Sequence, residues 1–278
     1  GPTRRRRGGG KGRGHAAIIF CLILRQLFAL MLKDLLKKAL RYAPFDITPN
    51  QRYDRLTRQI IARFFPADGC SVDVGCHKGE ILDLLLARAP RGRHYGFEPL
   101  PHLHERLVCK YANRPNVEIS NLALSNANGE ARFNYVISNP SYSGLRKRQY
   151  DRPVEQDTVI TVQTRRLDDV LPLGVRVDLI KIDVEGAELL VLEGAAQTLR
   201  RCKPVVIFES GLGASDVYDA TPDRMRDFFD SCDMDIYLPE ALLKGLPPLD
   251  QTEFKRQYAE RLNCYFAACP ASAKEHVG

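Results

Sequence analysis

The sequence predicts an α/β fold in which a mostly parallel sheet carries helices on both faces. Three observations favour this fold. Short apolar runs alternate with amphipathic stretches from about residue 71 onwards. Several of the apolar runs end in a carboxylate or a glycine turn. Such endings are typical of parallel strands whose carboxyl ends form a ligand site. The length of 278 residues suits one such domain with an appendage rather than two full domains.

The predicted strands and helices follow from the placement of apolar residues. Apolar runs bounded by turn residues predict strands at about 71–75, 93–98, 116–120, 131–137, 158–164, 178–183, 204–209, 234–238 and 262–268. Helical periodicity predicts helices near 79–89, 101–112, 187–200 and 222–232. We expect seven strands in one mostly parallel sheet, with an antiparallel last strand at Leu262–Ala268.

Residues 131–164 interrupt the alternation of strands and helices. Two strand-like runs there flank the polar stretch Ser138–Asp157, which holds Tyr142, Tyr150 and several arginines. We predict an insertion that lies over the active site and shapes the choice of substrate. The alternative is a mobile surface loop.

The first thirty residues differ from the rest of the chain. Residues 1–14 are rich in glycine and arginine and are expected to be disordered. The apolar run at 16–24 is shorter than the roughly 20 residues of a membrane span, and no small-x-small cleavage site supports a signal peptide. Because a helical pattern starts at Met31, we expect the preceding residues to be an extension outside the native protein. If they are native, residues 1–40 become a candidate membrane-surface anchor.

The domain organisation follows from these patterns. We predict a short N-terminal helical extension at 31–66, because leucines and other apolar residues recur there at helical spacing. The main domain is expected at 67–270, followed by a C-terminal tail at 271–278.

Excess positive charge is confined to the N-terminus. The formal net charge is +7, and seven of the 41 Lys and Arg residues lie in residues 1–30, which hold no Asp or Glu. The remaining residues therefore carry 34 groups of each sign. Because the body of the protein has no basic excess, we predict no nucleic-acid partner, with Arg146–Arg148 as the one local basic patch to consider.

The cysteine pattern disfavours both a zinc site and a disulfide framework. No two of the eight cysteines have Cys-x-x-Cys spacing, and no pair of histidines follows at finger-like spacing. A chain with this much apolar sequence does not need disulfides to fold. We predict reduced cysteines and a cytoplasmic location.

The first candidate site follows the first predicted strand, in Val72-Asp-Val-Gly-Cys-His-Lys-Gly79. Gly75 permits a ligand to approach the backbone, and Gly79 permits tight packing at the helix start. Alone, this is also the pattern of an ordinary strand-to-helix turn. Asp73 makes it more specific, because a carboxylate at the strand end disfavours a pyrophosphate and attracts the ammonium of a cationic amino-acid cofactor.

Two further segments extend the cofactor pattern. Glu98 ends the second strand, 19 residues after Gly79, and can accept two hydrogen bonds from a ribose diol. The alternative role for Glu98 is to cap the helix that starts near Pro101. Small and polar residues in Ser120–Ser125 are placed to border an adenine, although ordinary loop chemistry gives the same pattern.

A second group of charged residues lies in and after the strand that starts near Asp178. Lys181 and Asp183 are two residues apart and therefore face the same side of the sheet. Charged groups in so apolar a strand are costly unless they are paired or solvated in a cleft. Glu209 ends the next strand, so several strand ends present carboxylates to one cleft. The alternative is a buried Lys181 ion pair beside acids that cap helices.

Together these residues resemble the FkbM family of S-adenosylmethionine-dependent methyltransferases. The similar segments, across about residues 70–210, are Val72–Gly75 with Gly79, Phe97–Pro99, Ala123–Ser125 with Gly129, Leu167–Val170, Asp178–Glu188 and Phe208-Glu209. The resemblance implies a Rossmann-like class I methyltransferase fold and S-adenosylmethionine as the cofactor. It also implies O-methylation of a sugar, a glycan or a small metabolite.

The resemblance assigns roles to individual residues. The cofactor would be held by Asp73, Gly75, Cys76, Gly79, Glu98, Pro99, Asn121, Leu122, Ala123 and Asp183, in the order methionine part, ribose and adenine along the chain, with Asp183 at the reacting methyl group. The reacting centre would be faced by Asp183, Lys181, Glu185 and Glu209. The family commonly has small residues where this chain has His77, which is therefore a candidate substrate contact or base, or else a solvated loop residue.

A hydroxyl acceptor must lose its proton during methyl transfer. Asp183 is the first candidate base and His77 the second. In an alternative mechanism Asp183, Glu185 and Glu209 hold a divalent cation that acidifies the hydroxyl. Spacing alone does not indicate coordination, and we predict no metal.

Two other classes of function remain open. A nicotinamide-dependent oxidoreductase shares the strand-turn-helix and the acid after the second strand, but it is expected to carry a fuller Gly-x-Gly-x-x-Gly. A non-catalytic scaffold that retains the fold is the other class. The strand-end carboxylates disfavour it, because a scaffold has no need of them.

Overall fold

A seven-stranded sheet is the largest sheet in the part of the chain that the structure describes. The computed structural model describes residues 49–148, 150 and 155–270. The predicted extension at 1–30, the helical pattern that starts at Met31 and the tail at 271–278 lie outside the described residues. The chain divides into two units between Arg52 and Tyr53, and the site described below lies in the second unit.

Strands and helices alternate along much of the described chain, except for consecutive strands within 117–165 and consecutive helices within 188–202 and 239–259. The strands are β1 (Ser71–Val74), β2 (His94–Phe97), β3 (Val117–Ser120), β4 (Ala123–Leu124), β5 (Gly129–Val136), β6 (Asp157–Arg165), β7 (Leu179–Ile182), β8 (Val205–Glu209), β9 (Asp235–Tyr237) and β10 (Tyr265–Cys269). The helices are α1 (Pro49–Phe64), α2 (Glu80–Arg88), α3 (Pro101–Lys110), α4 (Leu167–Val170), α5 (Glu188–Gly194), α6 (Ala196–Cys202), α7 (Pro222–Ser231), α8 (Pro239–Leu243) and α9 (Gln251–Ala259), with 3-10 turns at Pro140–Tyr142 and Ser215–Tyr218.

The sheet has the predicted topology. Its strand order is β3-β2-β1-β7-β8-β10-β9. The five strands β3, β2, β1, β7 and β8 are parallel to their neighbours in this sheet. Strand β10 runs antiparallel to both β8 and β9. A second, three-stranded sheet has the order β4-β6-β5 and is built around the antiparallel β5–β6 pair of the insertion. The predicted fold class is therefore confirmed, and the strands predicted from the sequence are all present.

Helices cover both faces of the sheet. Successive residues of a strand point to opposite faces, and apolar side chains lie on each face. In β8, Val206 and Phe208 belong to a large core cluster that also contains residues of α5, α6 and α7. Val205 and Ile207 lie in a different cluster, with residues of α1, α2 and α8. Buried parallel strands with apolar side chains on both faces are typical of this architecture.

The prediction of one continuous helix at 187–200 is wrong. The segment divides into α5 and α6 at Gly194 and Ala195. A Cβ at Gly194 would lie 2.1 Å from the carbonyl oxygen of Ser125, so the chain passes too close there for any side chain. The short helices α4, α8 and α9 were not predicted. A capping signal was available for α9, since Asp250 accepts a hydrogen bond from the backbone N–H of Glu253.

Asp168 supplies a cap to α6 from outside the helix. Its two carboxylate oxygens accept hydrogen bonds from the backbone N–H groups of Gln197 and Thr198, each at 2.9 Å, and from the Thr198 hydroxyl at 2.8 Å. We expect Asp168→Ala to lower the free energy of unfolding by about 1–2 kcal/mol, because these donors lose their acceptor. Urea unfolding measures the change. Asp169→Ala is the matched control, expected within about 0.5 kcal/mol of wild type, and equal midpoints for the two variants would contradict the capping role.

Candidate active site

Four parallel strands end around the switch point between β1 and β7. From β1 the strand order extends to β2 and β3 on one side and to β7 and β8 on the other. Gly75 and Asp183 directly follow β1 and β7, Glu98 follows β2, and Glu209 ends β8. Open α/β sheets bind ligands at this position, and the structure brings these predicted residues together there.

The turn after β1 allows close approach of two backbones. Gly75 has φ +78°, and a Cβ there would lie 2.0 Å from the carbonyl oxygen of Asp183. Cys76 turns its thiol into the core, where Sγ donates a hydrogen bond to the carbonyl oxygen of Asp73 at 3.1 Å. Burial raises the pKa of the Cys76 thiol well above its usual range. The Cys76 thiol therefore packs beneath the surface of the turn, in the core, and is not a reactive thiol.

Gly79 allows tight packing at the start of α2, as predicted. The Tyr111 hydroxyl shares its single proton between two acceptors, the carbonyl oxygen of Gly79 at 3.0 Å and Asp83 Oδ1 at 2.8 Å. A Cβ at Gly79 would lie 2.5 Å from the Tyr111 hydroxyl oxygen. These contacts fix the first turn of α2 beside the site.

Glu98 is a buried carboxylate held by backbone donors. Its Oε2 accepts a hydrogen bond from the backbone N–H of His77 at 2.8 Å, and Oε1 accepts one from that of Leu100 at 3.0 Å. Burial raises the pKa of Glu98 to about 7, against the opposing effect of these two bonds. Each oxygen keeps a further acceptor site. The arrangement therefore suits a ligand with two hydroxyl groups.

The predicted adenine segment lies next to Glu98. Asn121 Nδ2 donates hydrogen bonds to the carbonyl oxygens of Glu98 at 2.9 Å and Pro99 at 3.0 Å. Leu122 is half-buried against the main core, and Ala123 is buried in β4. The amide of Asn121 therefore ties the loop after β3 to the loop after β2.

Asp73 is a buried carboxylate whose oxygens accept no hydrogen bond from the described residues. It lies opposite Lys181 in the register of β1 and β7 and is 1% exposed. Burial raises the pKa of Asp73 to about 6, although the positive charge of Lys181 opposes the shift. A buried carboxylate without a hydrogen bond is costly, and a cationic ligand group would relieve that cost.

Lys181 and Asp183 form an ion pair at the end of β7. Lys181 Nζ lies 2.7 Å from Asp183 Oδ2, and the lysine is 6% exposed. Burial acts to raise the pKa of Asp183, but the Lys181 ammonium outweighs it and holds that pKa below its usual range. Asp183 is therefore ionised at neutral pH. The buried ion pair that the sequence offered as an alternative is present, and it lies in the candidate site.

Three glutamates surround this pair in different states. Glu185, at φ +59°, forms an ion pair with Arg148 at 2.8 Å, and burial raises its pKa well above the usual range. Burial and the charge of Asp183 raise the pKa of Glu209 to about 8. Glu188 Oε1 accepts hydrogen bonds from two backbone N–H groups of the preceding turn, at 3.1 and 3.2 Å. Glu209 is thus a neutral carboxylic acid at pH 7, and Glu188 holds the turn.

His77 lies on the same side of the site as Asp183. It is half-buried and has φ +50°, a conformation that costs energy for a residue with a side chain. Burial lowers the pKa of His77, so its imidazole is neutral at pH 7. The negative charge of Asp183 acts against the effect of burial on the pKa of His77. The structure therefore places both candidate bases in one site.

The insertion supplies contacts that the sequence did not predict. The Arg148 guanidinium carbon lies 4.6 Å from the centroid of the Tyr142 ring while the same guanidinium pairs with Glu185. The Tyr218 hydroxyl accepts a hydrogen bond from the backbone N–H of Arg146 at 2.6 Å. Ser141 Oγ lies 3.5 Å from His77 Nε2. The arginines and tyrosines of the insertion were visible in the sequence, but nothing local indicated which of them meets Glu185.

Tyr265 is a further residue of the site that was not predicted from the sequence. Its hydroxyl donates a hydrogen bond to Asp183 Oδ2 at 3.4 Å. The available signal was topological, because an antiparallel last strand begins at the edge of the sheet where its parallel neighbours end.

Three further observations bear on metals, membranes and redox state. Among residues 49–148, 150 and 155–270, no group of three His, Cys, Asp or Glu side chains is placed to hold a metal ion. None of the helices that the structure describes combines the length and the apolar character needed to cross a membrane. Six cysteines in the described ranges are free thiols, namely Cys70, Cys76, Cys109, Cys202, Cys232 and Cys264.

Comparisons with known proteins bear on these residues. The family model described as "Methyltransferase FkbM domain" matches residues 73–236. The AMB antimetabolite synthetase AmbE of Pseudomonas aeruginosa is 31% identical over 166 residues, which cover 46% of this chain and 8% of that protein. The 2-O-methyltransferase NoeI of Sinorhizobium fredii is 28% identical over 166 residues, which cover 54% of this chain and 66% of that protein. A methyltransferase FkbM from Methylobacillus flagellatus KT aligns over 74% of this chain and 44% of its own, at 16% identity and a TM-score of 0.46.

Proposed function

The chain belongs to the FkbM methyltransferase family, and from that membership we propose that it transfers a methyl group from S-adenosylmethionine to a hydroxyl group. One observation carries the choice of cofactor: the buried, unpartnered carboxylate of Asp73 lies at the same strand ends as the doubly anchored carboxylate of Glu98. The first suits an ammonium group and the second a ribose diol. A nicotinamide cofactor, which would bring a pyrophosphate to the turn after β1, fits the charge of Asp73 poorly.

The cofactor would be held by residues from three strand ends. Asp73 would attract the ammonium of the methionine part, Glu98 would accept hydrogen bonds from the ribose, and Asn121 to Ala123 would border the adenine. Gly75 lets the turn after β1 pack against the carbonyl oxygen of Asp183, which keeps together the two strand ends that would flank the cofactor. When bound, S-adenosylmethionine supplies an electrophilic methyl group. The residues of the chain hold the acceptor and manage its proton.

In the proposed mechanism Asp183 accepts the proton of the acceptor hydroxyl. Lys181 keeps Asp183 ionised at neutral pH, so the carboxylate is ready to accept a hydrogen bond. His77, neutral at pH 7, is the second candidate base. Glu209 is protonated near neutral pH and can donate a hydrogen bond to an acceptor oxygen. Most of the rate acceleration is expected from holding the two reactants together.

The proposed acceptor is a sugar, a glycan or a small metabolite. The relative NoeI, named a 2-O-methyltransferase, supports a hydroxyl acceptor. Aromatic and charged side chains of the insertion, above all Tyr142 and Arg148, lie beside Glu185 and are placed to contact the acceptor. We expect no nucleic-acid partner, since the body of the chain carries no basic excess. The free thiols support a cytoplasmic location.

Calorimetric titration tests the cofactor. We expect S-adenosylmethionine and S-adenosylhomocysteine to bind the wild-type protein with micromolar affinity. Glu98→Gln should weaken both at least about tenfold, because an amide nitrogen would face a backbone N–H and the charge would be lost. Glu118→Gln, on the exposed part of β3, is the control and should bind as wild type does. Absence of binding to well-folded wild-type protein would overturn the proposed function.

The affinity for S-adenosylmethionine is expected to decrease as the pH is lowered. The pKa of Glu98 is raised to about 7, so its carboxylate is mostly ionised at pH 8 and mostly protonated at pH 6. Because the ionised form is the better acceptor for the ribose hydroxyls, affinity should drop about tenfold from pH 8 to pH 6. Titrations in buffers of different ionisation enthalpy should show proton release on binding at pH 7. Glu98→Gln should reduce the dependence to the smaller part that comes from Asp73, whose pKa is raised to about 6, and an equal slope in that variant would remove Glu98 as a source.

A further inference from the structure

Tyr265 contacts the site from outside the part of the chain that the family model matches. It is the first residue of β10, paired with Glu209 in the antiparallel register of β8 and β10. Its hydroxyl therefore reaches the edge of the sheet where β7 and β8 end. There it donates a hydrogen bond to Asp183 Oδ2 at 3.4 Å. The family match ends at residue 236, before this strand begins.

The Tyr265 ring is held in place by Tyr53 of α1. The two rings stack with centroids 4.6 Å apart and planes inclined by 28°. The Tyr53 hydroxyl donates a hydrogen bond to Asn263 Oδ1 at 3.2 Å and accepts one from the backbone N–H of Cys264 at 3.4 Å. These bonds tie α1 to the residues that directly precede Tyr265. The orientation of the Tyr265 hydroxyl is therefore set by packing as well as by Asp183.

We propose that Tyr265 is a positioning residue that fixes which oxygen of Asp183 meets the methyl acceptor, an inference that rests on the proposed function. Lys181 and Tyr265 both donate to Oδ2. Oδ1 receives no hydrogen bond from the described residues, and the Asp183 side chain is 29% exposed. Two donors on one oxygen restrict rotation of the carboxylate and leave Oδ1 to accept the proton of the acceptor hydroxyl.

Tyr265 is suited to this role because it remains a donor. The charge of Asp183, followed by burial, raises the pKa of the Tyr265 hydroxyl, which stays protonated throughout the neutral range. At 3.4 Å the bond is longer than an ideal O–H···O contact. Its loss should therefore cost less than the loss of Asp183 itself. We expect about a tenfold reduction of kcat in Tyr265→Phe.

Carbon-13 NMR of carboxyl-labelled aspartate tests the contact without any acceptor or cofactor. The Asp183 resonance is identified as the one missing from Asp183→Asn. At pH 7 it should move in Tyr265→Phe, which loses the donor, and move less in Tyr53→Phe, which keeps the stacked ring but loses the bonds to Asn263 and Cys264. A resonance that stays in place in Tyr265→Phe overturns the inference, whatever the acceptor proves to be.

Kinetics then test the consequence for catalysis. Tyr265→Phe should lower kcat about tenfold while the acceptor KM and the affinity for S-adenosylmethionine stay within about twofold of wild type. In the Asp183→Asn background the same substitution should cause no further loss, because the two residues act as one unit. Additive losses would overturn the positioning role. Failure of the wild type to methylate any hydroxyl would instead count against the proposed function, and the carboxyl resonance would still decide the contact.

Discussion

Asp183→Asn is expected to lower kcat for methyl transfer by about 10²–10⁴-fold while the affinity for S-adenosylmethionine changes by less than about threefold. Asp183 is the ionised carboxylate of the site, and an asparagine cannot accept the proton of the acceptor hydroxyl. The cofactor is expected to be held mainly by Asp73, Glu98 and the loop after β3. The variant therefore separates proton transfer from cofactor binding, and turnover assays beside calorimetric titrations measure the two effects.

Asp178→Asn is the matched control for this experiment. Asp178 precedes β7 at the opposite end from Asp183, and its Oδ2 accepts a hydrogen bond from the backbone N–H of Cys70 at 2.8 Å. It should leave kcat within about twofold of wild type. Unchanged turnover in Asp183→Asn would remove Asp183 from the role of base and leave His77→Gln as the next variant to test.

Asp183→Asn also lowers the stability of the fold, and its free energy of unfolding must be measured beside its activity. Lys181 is 6% exposed and would lose its closest anionic partner. Breaking a buried ion pair from one side costs about 3–5 kcal/mol, but Lys181 keeps the nearby charge of Asp73 and the Asn oxygen as an acceptor. We expect a smaller loss of about 2 kcal/mol in urea unfolding. Activity assays are then valid at temperatures where the variant is folded.

Gly75→Ala is expected to destabilise the protein by about 3 kcal/mol and to weaken S-adenosylmethionine binding at least about tenfold. A side chain at φ +78° costs about 1–2 kcal/mol by itself. The added Cβ would also lie 2.0 Å from the carbonyl oxygen of Asp183, so one of the two backbones must move. That movement would displace the end of β7 together with the turn after β1.

Gly174→Ala isolates the conformational part of this effect. Gly174 has φ +75°, almost the value at Gly75, but a Cβ there would meet no atom within 4 Å. We expect a loss of about 1 kcal/mol and unchanged cofactor binding. Equal losses in the two alanine variants would show that the contact with Asp183 contributes nothing, because the backbone strain is the same in both.

The sequence predicted most of the sheet and the position of the site, for physical reasons that are local. The strands were recognised because each is a short apolar run between turn residues, and the site because Asp73, Glu98, Asp183 and Glu209 stand at or just after strand ends. Parallel strands carry their carboxyl ends to one edge, so local patterns suffice to bring such residues together.

The contacts that escaped prediction depend on long-range packing. Arg148 meets Glu185 because the insertion folds back on the site, and Tyr265 meets Asp183 because β10 inserts beside β8. Gly194, where the predicted helix divides, lies against the carbonyl oxygen of Ser125, a residue distant in sequence. No periodicity within a segment records a contact made by a segment far away. The Asp73 carboxylate, in contrast, was recognised from its own strand.

The placement of β10 between β8 and β9 has a consequence for biosynthesis. The ribosome makes β9 before β10, and β10 is the one strand that pairs with β9 in the part of the chain that the structure describes. Over the same interval Phe208 and Ile236, both fully buried in the finished protein, lack their β10 partners Phe266 and Ala268. A chain released early would expose an unpaired β8 edge and would be prone to aggregate. Synthesis of β10 thus both completes the sheet and supplies Tyr265, so the nascent chain acquires its complete site only after β10 is made.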